Sequence, residues 1–428
     1  MNLRQAMSRF QNTIYARAVR HGLTLAIPFL IMGSFALLLT NFPLGVYQDF
    51  IRTWMNGAAS AILETLYQIS LGSLALVLTV TISISYGHLT ETDQLFLYPI
   101  VAVCSYLAFC GGIENQSDYI FNAEWVFTAM VITLLSCVLF HKILKLGHRF
   151  ERLHTTGADY LFNISIQCLI PVILVSLFFA VTGYVLRVAW DSSNITNFGS
   201  YLFLKLFDKI SGNLFGILLY VVMTHLLWFM GIHGTNTLEA VSRHLFEQNV
   251  EINQSLVLAG HIPTEIFSKT FLDTFVFIGG CGTALSFVLA LYIASKQSHN
   301  RKMSFVALPS ALFNISEIAV FGFPIIFNLT MLIPFILTPV ILTLISASAI
   351  KTGLVPAVTQ SVEWTIPVLL SGYQATGSVS GSLLQLFNLL VGVFIYMPFV
   401  RRSEKQETGK FKQAVRQMEQ DMAAGERD

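Results

Sequence analysis

Residues 160–186 read YLFNISIQCLIPVILVSLFFAVTGYVL, a run of 27 residues without Asp, Glu, Lys or Arg. A helix needs about 20 apolar residues to cross the hydrocarbon core of a bilayer. This stretch therefore predicts a transmembrane helix, and it decides the fold class because similar runs recur along the chain. Other charge-free runs include 22–48, 65–90, 94–113, 210–238 and 274–295, with a shorter one at 125–140, and residues 303–400 contain only three charges.

The composition agrees with a membrane protein. The chain has 428 residues, and only 11% of them are Asp, Glu, Lys or Arg. Soluble proteins carry roughly 25% charged residues, which they need to cover their surface. The net charge of +1 gives no reason to expect nucleic-acid binding. The five cysteines lie in apolar stretches without CxxC spacing, so we expect no metal site, no disulfide framework and no cofactor.

Basic residues next to the apolar runs indicate the topology. The cytoplasmic ends of membrane helices are enriched in Lys and Arg. Both termini are therefore predicted to be cytoplasmic, which requires an even number of crossings. The residues that indicate this are Arg4, Arg9, Arg17 and Arg20 at the start and Arg401, Arg402 and Lys405 after the last run.

Nine clear spans are predicted, and an even number requires at least one more. We therefore predict an all-α polytopic membrane protein with about ten transmembrane helices plus re-entrant hairpins. The clear spans are 23–42, 66–86, 95–111, 125–141, 161–186, 212–230, 273–295, 329–350 and 380–400.

The missing crossing is predicted between Gly231 and Phe271. This segment is of mixed polarity, which favours a re-entrant or protein-buried path over a lipid-exposed helix. The alternative is that the basic loop at 296–302 does not follow the positive-inside tendency. Residues 303–328 and 352–379 are apolar but interrupted by Pro and Gly, which is typical of broken helices that form substrate sites.

These patterns predict four regions. Residues 1–20 form a cytoplasmic amphipathic leader, and residues 21–200 form a half with regular scaffold spans. Residues 201–400 form a half with broken, polar elements. Residues 401–428 form a charged cytoplasmic tail, either a helix or a linker.

Glu317 is the only charged residue between Lys302 and Lys351. A carboxylate at membrane depth costs about 2.5 kcal/mol or more and usually faces a polar cavity or a partner. It can accept hydrogen bonds from neighbouring hydroxyl groups or take up a proton. We predict that Glu317, together with Asn314 in the same segment, binds substrate. The alternative is a buried carboxylate that caps backbone amides or pairs with a basic residue.

His233 stands between two glycines in WFMGIHGTN, residues 228–236. The glycines permit a break in the helix, and an imidazole can both donate and accept a hydrogen bond. We predict that His233 and Asn236 bind substrate. The alternative is a histidine bonded to a neighbouring helix, and that alternative is our prediction for the nearby His225, His244 and His261.

Trp364 follows Glu363 and precedes the glycine-containing segment SGYQATG at 371–377. An aromatic ring can pack on the apolar face of a sugar, and we predict that Trp364 binds substrate in this way. The alternative is an aromatic residue at the bilayer interface. The glycine-rich segment GGCGT at 279–283 predicts close helix packing. It lacks the Lys-Ser/Thr of a phosphate-binding loop.

Together these segments resemble the IIC membrane components of the bacterial sugar phosphotransferase system, of the lactose, cellobiose and diacetylchitobiose type. The resemblance covers about residues 17–400. The motifs that carry it are ARAVRHG at 16–22, GIHG at 231–234, FNISE at 313–317, FGFPI at 321–325, and WT at 364–365 followed by GY at 372–373 and ATG at 375–377.

The resemblance implies ten spans and two re-entrant hairpins, assembled as a homodimer in the bacterial inner membrane. One half of each subunit would form the interface, and the other would hold the sugar. His233 and Glu317 correspond to residues of the family's sugar site. The implied mechanism is group translocation, in which a phosphocysteine on a separate IIB protein, supplied by IIA, phosphorylates the sugar. The chain would carry no phosphorylated residue of its own.

The chain departs from the family's motifs at four positions. Ser316 stands in place of an Asn, and Ile318, Leu329 and Glu363 stand in place of prolines. Two alternatives to transport by group translocation remain open, and these departures motivate the first of them. One is a IIC-like sensory domain that binds a sugar and signals through the tail at 401–428. The other is a proton-coupled sugar transporter that uses Glu317 as its proton site.

Overall fold

The computed structural model describes residues 9–42, 44–92, 94–112, 118–146, 159–189, 198–207, 210, 212–323 and 325–425. These residues form helices and no β-strand. Residues 1–8 of the predicted leader and 426–428 of the predicted tail lie outside them.

The predicted all-α membrane fold is confirmed in the described residues. Five helical segments are long and apolar enough to cross a bilayer, and shorter apolar helices accompany them. The long segments are Ile14–Thr40, Ala123–Lys145, Tyr160–Val188, Leu329–Lys351 and Val379–Gln406. The shorter ones are Leu74–Leu89, Leu97–Cys110, Leu214–Phe229 and Ala284–Ala294.

The helices are numbered in chain order. They are α1 (Ile14–Thr40), α2 (Gly45–Thr53), α3 (Ala58–Gln68), α4 (Leu74–Leu89), α5 (Leu97–Cys110), α6 (Val126–Lys145), α7 (Tyr160–Ala189), α8 (Phe198–Phe207), α9 (Leu214–Phe229), α10 (Gly234–Thr237), α11 (Glu239–Ser242), α12 (Gln248–Leu258), α13 (Lys269–Phe271), α14 (Ala284–Ala294), α15 (Ser298–Leu312), α16 (Glu317–Gly322), α17 (Leu329–Lys351), α18 (Leu370–Thr376) and α19 (Val379–Gly425). Two π-helical turns, Arg243–Glu247 and Leu272–Val276, interrupt the series.

The chain divides into two compact units. The first contains residues 1–212 and 226–245, and the second contains residues 213–225 and 246–428. The chain passes between them inside α9 and again inside the first π-helical turn.

Small residues allow close helix packing in the first unit. A Cβ atom at Gly22 of α1 would lie 2.8 Å from the backbone nitrogen of Ile82 in α4. Gly22 therefore brings the two backbones closer than any larger residue would permit. Membrane helices associate through such contacts because lipid gives no hydrophobic driving force between them.

The predicted span at 66–86 is interrupted at residues 69–73. α3 ends at Gln68 and α4 begins at Leu74. The hydroxyl groups between them bond to preceding carbonyls, with Ser73 donating to the oxygen of Gln68 at 2.7 Å. Such bonds compete with the helical ladder. The apolar character of the segment did not reveal this break.

The predicted uninterrupted span at 273–295 is also wrong. The chain leaves the helical path at Phe277 and resumes it in α14 at Ala284. Gly279, Gly280 and Gly282 all have positive φ, which other residues adopt only with strain. The glycine-rich segment is therefore a tight turn rather than part of a packed helix, although it does allow the close approach that was predicted.

His225 supports this turn, as its predicted structural role requires. Its Nδ1 lies 2.6 Å from the carbonyl oxygen of Val221, and its Nε2 accepts from the backbone nitrogen of Gly282 at 2.8 Å. Because a carbonyl can only accept, the proton is on Nδ1. The ring is buried and its two nitrogens are both bonded within the second unit.

The segment from Gly231 to Phe271 follows an irregular path, as predicted. It contains the short helices α10 to α13 and a non-helical stretch at 261–268. The buried side chain of Asn253 holds that stretch by donating to the carbonyl of Glu265 at 2.7 Å and accepting from its backbone nitrogen at 2.9 Å. A second bond joins Asn253 to the carbonyl of Val358 at 2.9 Å.

The two segments rich in Pro and Gly are broken, as predicted. α15 ends at Leu312, and after a short connection α16 extends only from Glu317 to Gly322. Residues 353–369 are largely non-helical before α18 begins. The predicted tail is helical over its described length, because α19 continues for 47 residues from Val379 to Gly425.

Candidate functional site

His233 is fixed in place by its own segment of the first unit. It is the N-cap residue of α10, and its Nδ1 accepts from the backbone nitrogen of Asn236 at 3.4 Å. The hydroxyl of Thr235 lies 3.2 Å from the same nitrogen. Since Nδ1 accepts, the neutral ring carries its proton on Nε2. The ring also lies against Trp228, with 4.3 Å between ring centroids, and the residue is only 7% exposed.

Gly231 makes this arrangement possible. Its φ is 84°, in the left-handed region that favours glycine. The chain turns there, and the nitrogen of Ile232 donates back to the carbonyl of Leu227 at 3.0 Å. α9 therefore ends four residues before His233, and the flanking glycine has the role that the sequence suggested.

Asn236 is half-buried in the short helix α10. Its backbone nitrogen bonds to His233, while its side-chain amide makes no hydrogen bond to any residue that the structure describes. An amide offers two donors and an acceptor, so Asn236 can contact a hydroxyl-bearing ligand. The structure thus brings His233 and Asn236 together as one small group.

Asn314 connects three separate segments of the second unit. Its Oδ1 accepts from the backbone nitrogen of Gly279 at 2.7 Å. Its Nδ2 donates to the carbonyl oxygens of Trp364 at 2.6 Å and Ile366 at 3.1 Å. Both amide hydrogens are used, so only the second lone pair of Oδ1 remains for a ligand. The chief role of Asn314 is to position the segments around it.

The backbone of Asn314 is suited to this role. Its φ is 61°, and asparagine tolerates this left-handed conformation better than most residues. A Cβ atom at Gly280 would lie 2.6 Å from the carbonyl oxygen of Asn314. The turn at 277–283 therefore packs directly against the segment that leads to Glu317.

Glu317 is the first residue of α16, three positions after Asn314. Ser316 precedes it as the N-cap residue and is buried, whereas Glu317 is partly exposed. A carboxylate in the first turn of a helix is stabilised by the unpaired backbone N–H groups there. The break at 313–316 thus holds a charged side chain at a fixed point in an apolar stretch.

Trp364 is held through its backbone while its ring is 40% exposed. Asn314 binds its carbonyl oxygen, and the adjacent Thr365 is buried. The nitrogen of Ile366 donates to the carbonyl of Glu363 at 3.0 Å, which closes a turn around the tryptophan. An aromatic surface on a fixed backbone is a good platform for the apolar face of a ligand.

Gln385 holds the start of α18 in place, and the sequence patterns did not reveal this role. This buried side chain in α19 accepts from the nitrogens of Leu369 and Gly372, both at 2.8 Å. It also donates to the carbonyl of Thr274 at 2.7 Å and to the hydroxyl of Ser371 at 2.8 Å. A glutamine inside an apolar span is the signal that could have revealed it, because such residues usually have a polar partner.

The structure therefore brings the predicted residues together in two groups. His233 and Asn236 form one group in the first unit. Asn314 and Trp364, with Glu317 on the adjoining helix, form the other in the second unit. Both groups lie at breaks between helices, where backbone groups and polar side chains are available to a ligand.

The profile of the family described as "Phosphotransferase system, EIIC" matches residues 20–339. The chain belongs to the phosphotransferase system EIIC family. Relatives extend the match beyond these residues. The lichenan permease IIC component of Bacillus subtilis is 28% identical over 92% of this chain and 90% of its own length. The cellobiose-specific EIIC component of Geobacillus stearothermophilus is 27% identical, with coverage of 92% and 91%.

A solved structure shares the fold of this EIIC protein. The transporter ChbC, the IIC component of an N,N'-diacetylchitobiose-specific phosphotransferase system, aligns with a TM-score of 0.50. The alignment covers 96% of this chain and 98% of the other, at 24% sequence identity. The match of the family profile to residues 20–339 confirms the family resemblance that the short motifs indicated.

Proposed function

We propose that this EIIC protein binds a β-linked disaccharide or a related sugar and carries it across the bacterial inner membrane for phosphorylation. The names of its relatives support this substrate class, because they refer to lichenan, cellobiose and diacetylchitobiose. The observation that carries the proposal is the triple connection made by the Asn314 side chain. These bonds hold the backbone around the exposed Trp364 and the turn at Gly279 against the segment that leads to Glu317.

Each residue has a proposed role. The Trp364 ring packs on the apolar face of a sugar ring, and Glu317 accepts hydrogen bonds from its hydroxyl groups. Asn314 positions both and offers one lone pair. His233 and Asn236 also contact the sugar, a proposal supported by the family motif around them. The required chemistry favours these side chains because sugars combine apolar faces with hydroxyl edges.

The phosphoryl group comes from a separate protein. A phosphocysteine of a IIB partner, recharged by IIA, transfers its phosphoryl group from sulfur to a sugar hydroxyl oxygen. The proton of that hydroxyl passes to Glu317 or His233 acting as a base. The phosphorylated sugar is then trapped inside the cell.

The proposed assembly follows the family. The chain would form a homodimer with about ten spans and re-entrant hairpins, and with both termini in the cytoplasm. Residues 21–200 would supply the scaffold and dimerisation half, and residues 201–400 the sugar-binding half. A cross-link between two copies through a cysteine placed in α7, with none through one placed in α15, would support this division.

The test is phosphoenolpyruvate-dependent uptake of radiolabelled cellobiose in cells that express the cognate IIB and IIA proteins. E317Q and H233A are expected to reduce uptake at least tenfold, because E317Q removes the charge that strengthens a bond from a sugar hydroxyl group and H233A removes the imidazole. The matched controls are E251Q and H299A, which change exposed residues of the same types.

Uptake that is equal in E317Q, H233A and their controls would contradict the assignment of the site. Uptake driven by a pH gradient without phosphoenolpyruvate would contradict the phosphotransferase mechanism. Sugar binding without any phosphorylated product in the presence of IIB would contradict transport and favour a sensory role.

A further inference from the structure

A cleft of about 790 Å³ lies in the second unit where α14, α15 and α19 meet. It is lined by the last residues of α14, by the turn from Ser295 to Gln297, by Arg301 of α15, and by α19 between Arg401 and Gly409. None of the proposed sugar-site residues lines it. The cleft is therefore not formed by the residues of the proposed sugar site.

The cleft is strongly cationic. Four basic residues line it: Lys296, Arg301, Arg401 and Lys405. The guanidinium of Arg301 makes one bond, from Nε to the carbonyl of Ser295 at 2.9 Å. The side chains of Lys296, Arg401 and Lys405 make no hydrogen bond or ion pair with the residues that the structure describes, and all three residues are exposed. Most of this positive charge is thus available to a ligand.

The single carboxylate in the cleft is bonded to neutral donors. Glu404 accepts from the hydroxyl of Ser295, from the backbone nitrogen of Lys296 at 3.0 Å and from the amide of Asn300 at 2.9 Å. These bonds fix the turn after α14 against α19, and they bury the carboxylate. The cationic side chains therefore project from a preformed and rigid frame.

One side of the cleft is apolar and faces outward. Tyr292 and Ile293, at the end of the apolar helix α14, are 59% and 56% exposed, and Ile293 lines the cleft. The apolar segment Val379–Gln406 ends at the same place. Exposed apolar residues next to cations at the end of a membrane span correspond to the boundary between acyl chains and headgroups.

We propose that this cleft binds one anionic phospholipid. The headgroup phosphate lies among Lys296, Arg301, Arg401 and Lys405, and an acyl chain lies along Ile293 and Tyr292. The adjacent apolar surface favours a lipid over a soluble anion, because a soluble anion would use only the cations. Basic pockets between membrane helices on the side of their basic loops commonly bind such headgroups.

The test compares phosphatidylglycerol with phosphatidylcholine as added lipids. Native mass spectrometry of the full chain in detergent gives the apparent Kd for each lipid. We expect phosphatidylglycerol to bind on the order of tenfold more tightly than phosphatidylcholine. R401Q/K405Q should raise the apparent Kd for phosphatidylglycerol about tenfold and leave the Kd for phosphatidylcholine unchanged. K296Q changes a residue of the turn rather than of α19, and it should raise the Kd for phosphatidylglycerol by a smaller factor.

Two control variants separate the effect of the cleft from the effect of total charge. K142Q/K145Q removes two cations from the end of α6, another apolar span, and should keep the preference for phosphatidylglycerol. R401K/K405R keeps the charge in the cleft and should also keep it. If R401Q/K405Q does not fold, K296Q and R401K/K405R still decide the question.

Three results would overturn the proposal. One is an unchanged Kd for phosphatidylglycerol in both R401Q/K405Q and K296Q. Another is an equal loss in K142Q/K145Q, which would indicate general attraction to charge. The third is displacement of the lipid by glycerol phosphate at the concentrations at which phosphatidylglycerol binds, which would indicate a soluble anion as the ligand.

Discussion

The side-chain amide of Asn314 donates a hydrogen bond to the backbone carbonyl of Trp364 across 2.6 Å, although the two residues are 50 positions apart. The bond uses the backbone of Trp364 and leaves its ring exposed. Asn314 thus holds the backbone at Trp364, and the proposed binding role belongs to the exposed tryptophan side chain. This separation of positioning from binding allows the two roles to be tested independently.

Substitution of Asn314 is expected to destabilise the second unit. N314A removes three hydrogen bonds and leaves the nitrogen of Gly279 without its partner, at a cost of about 3 kcal/mol. Alanine also tolerates φ near 60° poorly, so N314G serves as the control that keeps the backbone conformation. Thermal unfolding in detergent should show a large decrease in Tm for both variants. A wild-type Tm in N314G would contradict the role assigned to the side chain.

Substitution of Trp364 is expected to affect binding but not stability. W364A should weaken cellobiose binding about fivefold, because the stacked ring contributes on the order of 1 kcal/mol. Its Tm should change little, since the bond from Asn314 goes to the backbone. The measurement is isothermal calorimetry of the purified protein. W54A is the matched control, because Trp54 is also exposed, at 45%, but lies in the first unit. Equal binding by W364A and W54A would contradict the proposed platform.

Gln385 is expected to be essential for the α18 segment. Q385A leaves the nitrogens of Leu369 and Gly372 without acceptors, and the free energy of unfolding should fall by about 2–4 kcal/mol. The control is Q374A, which removes an exposed glutamine side chain from the same segment. Limited proteolysis between residues 353 and 378 should become faster only in Q385A. Similar rates in the two variants would contradict the supporting role.

The contact between α1 and α4 should be intolerant of a single methyl group. G22A places a Cβ atom against the backbone of Ile82, and overpacking of this kind costs about 1–3 kcal/mol. G45A is the control, because no atom lies within 4 Å of a Cβ at Gly45. Thermal unfolding should show a lower Tm for G22A and an equal or slightly higher Tm for G45A. A decrease of equal size in both would point to a general effect of losing glycine.

Much of the fold follows from the sequence because hydropathy and helix breakers act locally. The charge-free run at 160–186 became α7, and the Pro- and Gly-rich segments at 303–328 and 352–379 are broken as predicted. The break inside 273–295 was missed because a turn made of glycine and apolar residues is as hydrophobic as a helix. Only the positive φ values of its glycines distinguish it.

The contacts of the candidate site could not be predicted in the same way. The segment around Asn314 attracted attention because Glu317 is charged, but nothing in the local pattern indicates that its amide binds residues 279 and 364. Pairing over such distances depends on how the helices pack. The same reason explains why Gln385 was overlooked, since its four partners are dispersed between residues 274 and 372.

The continuity of α19 has a mechanical consequence. Gln385 and Gly425 belong to one helix, and the part beyond Arg401 is about 36 Å long at 1.5 Å per residue. A tilt of only about 10° around Arg401 would therefore displace Gly425 by about 6 Å, as follows from that length. A fluorescent label near residue 425 would therefore report movements of the helix whose Gln385 holds the α18 segment.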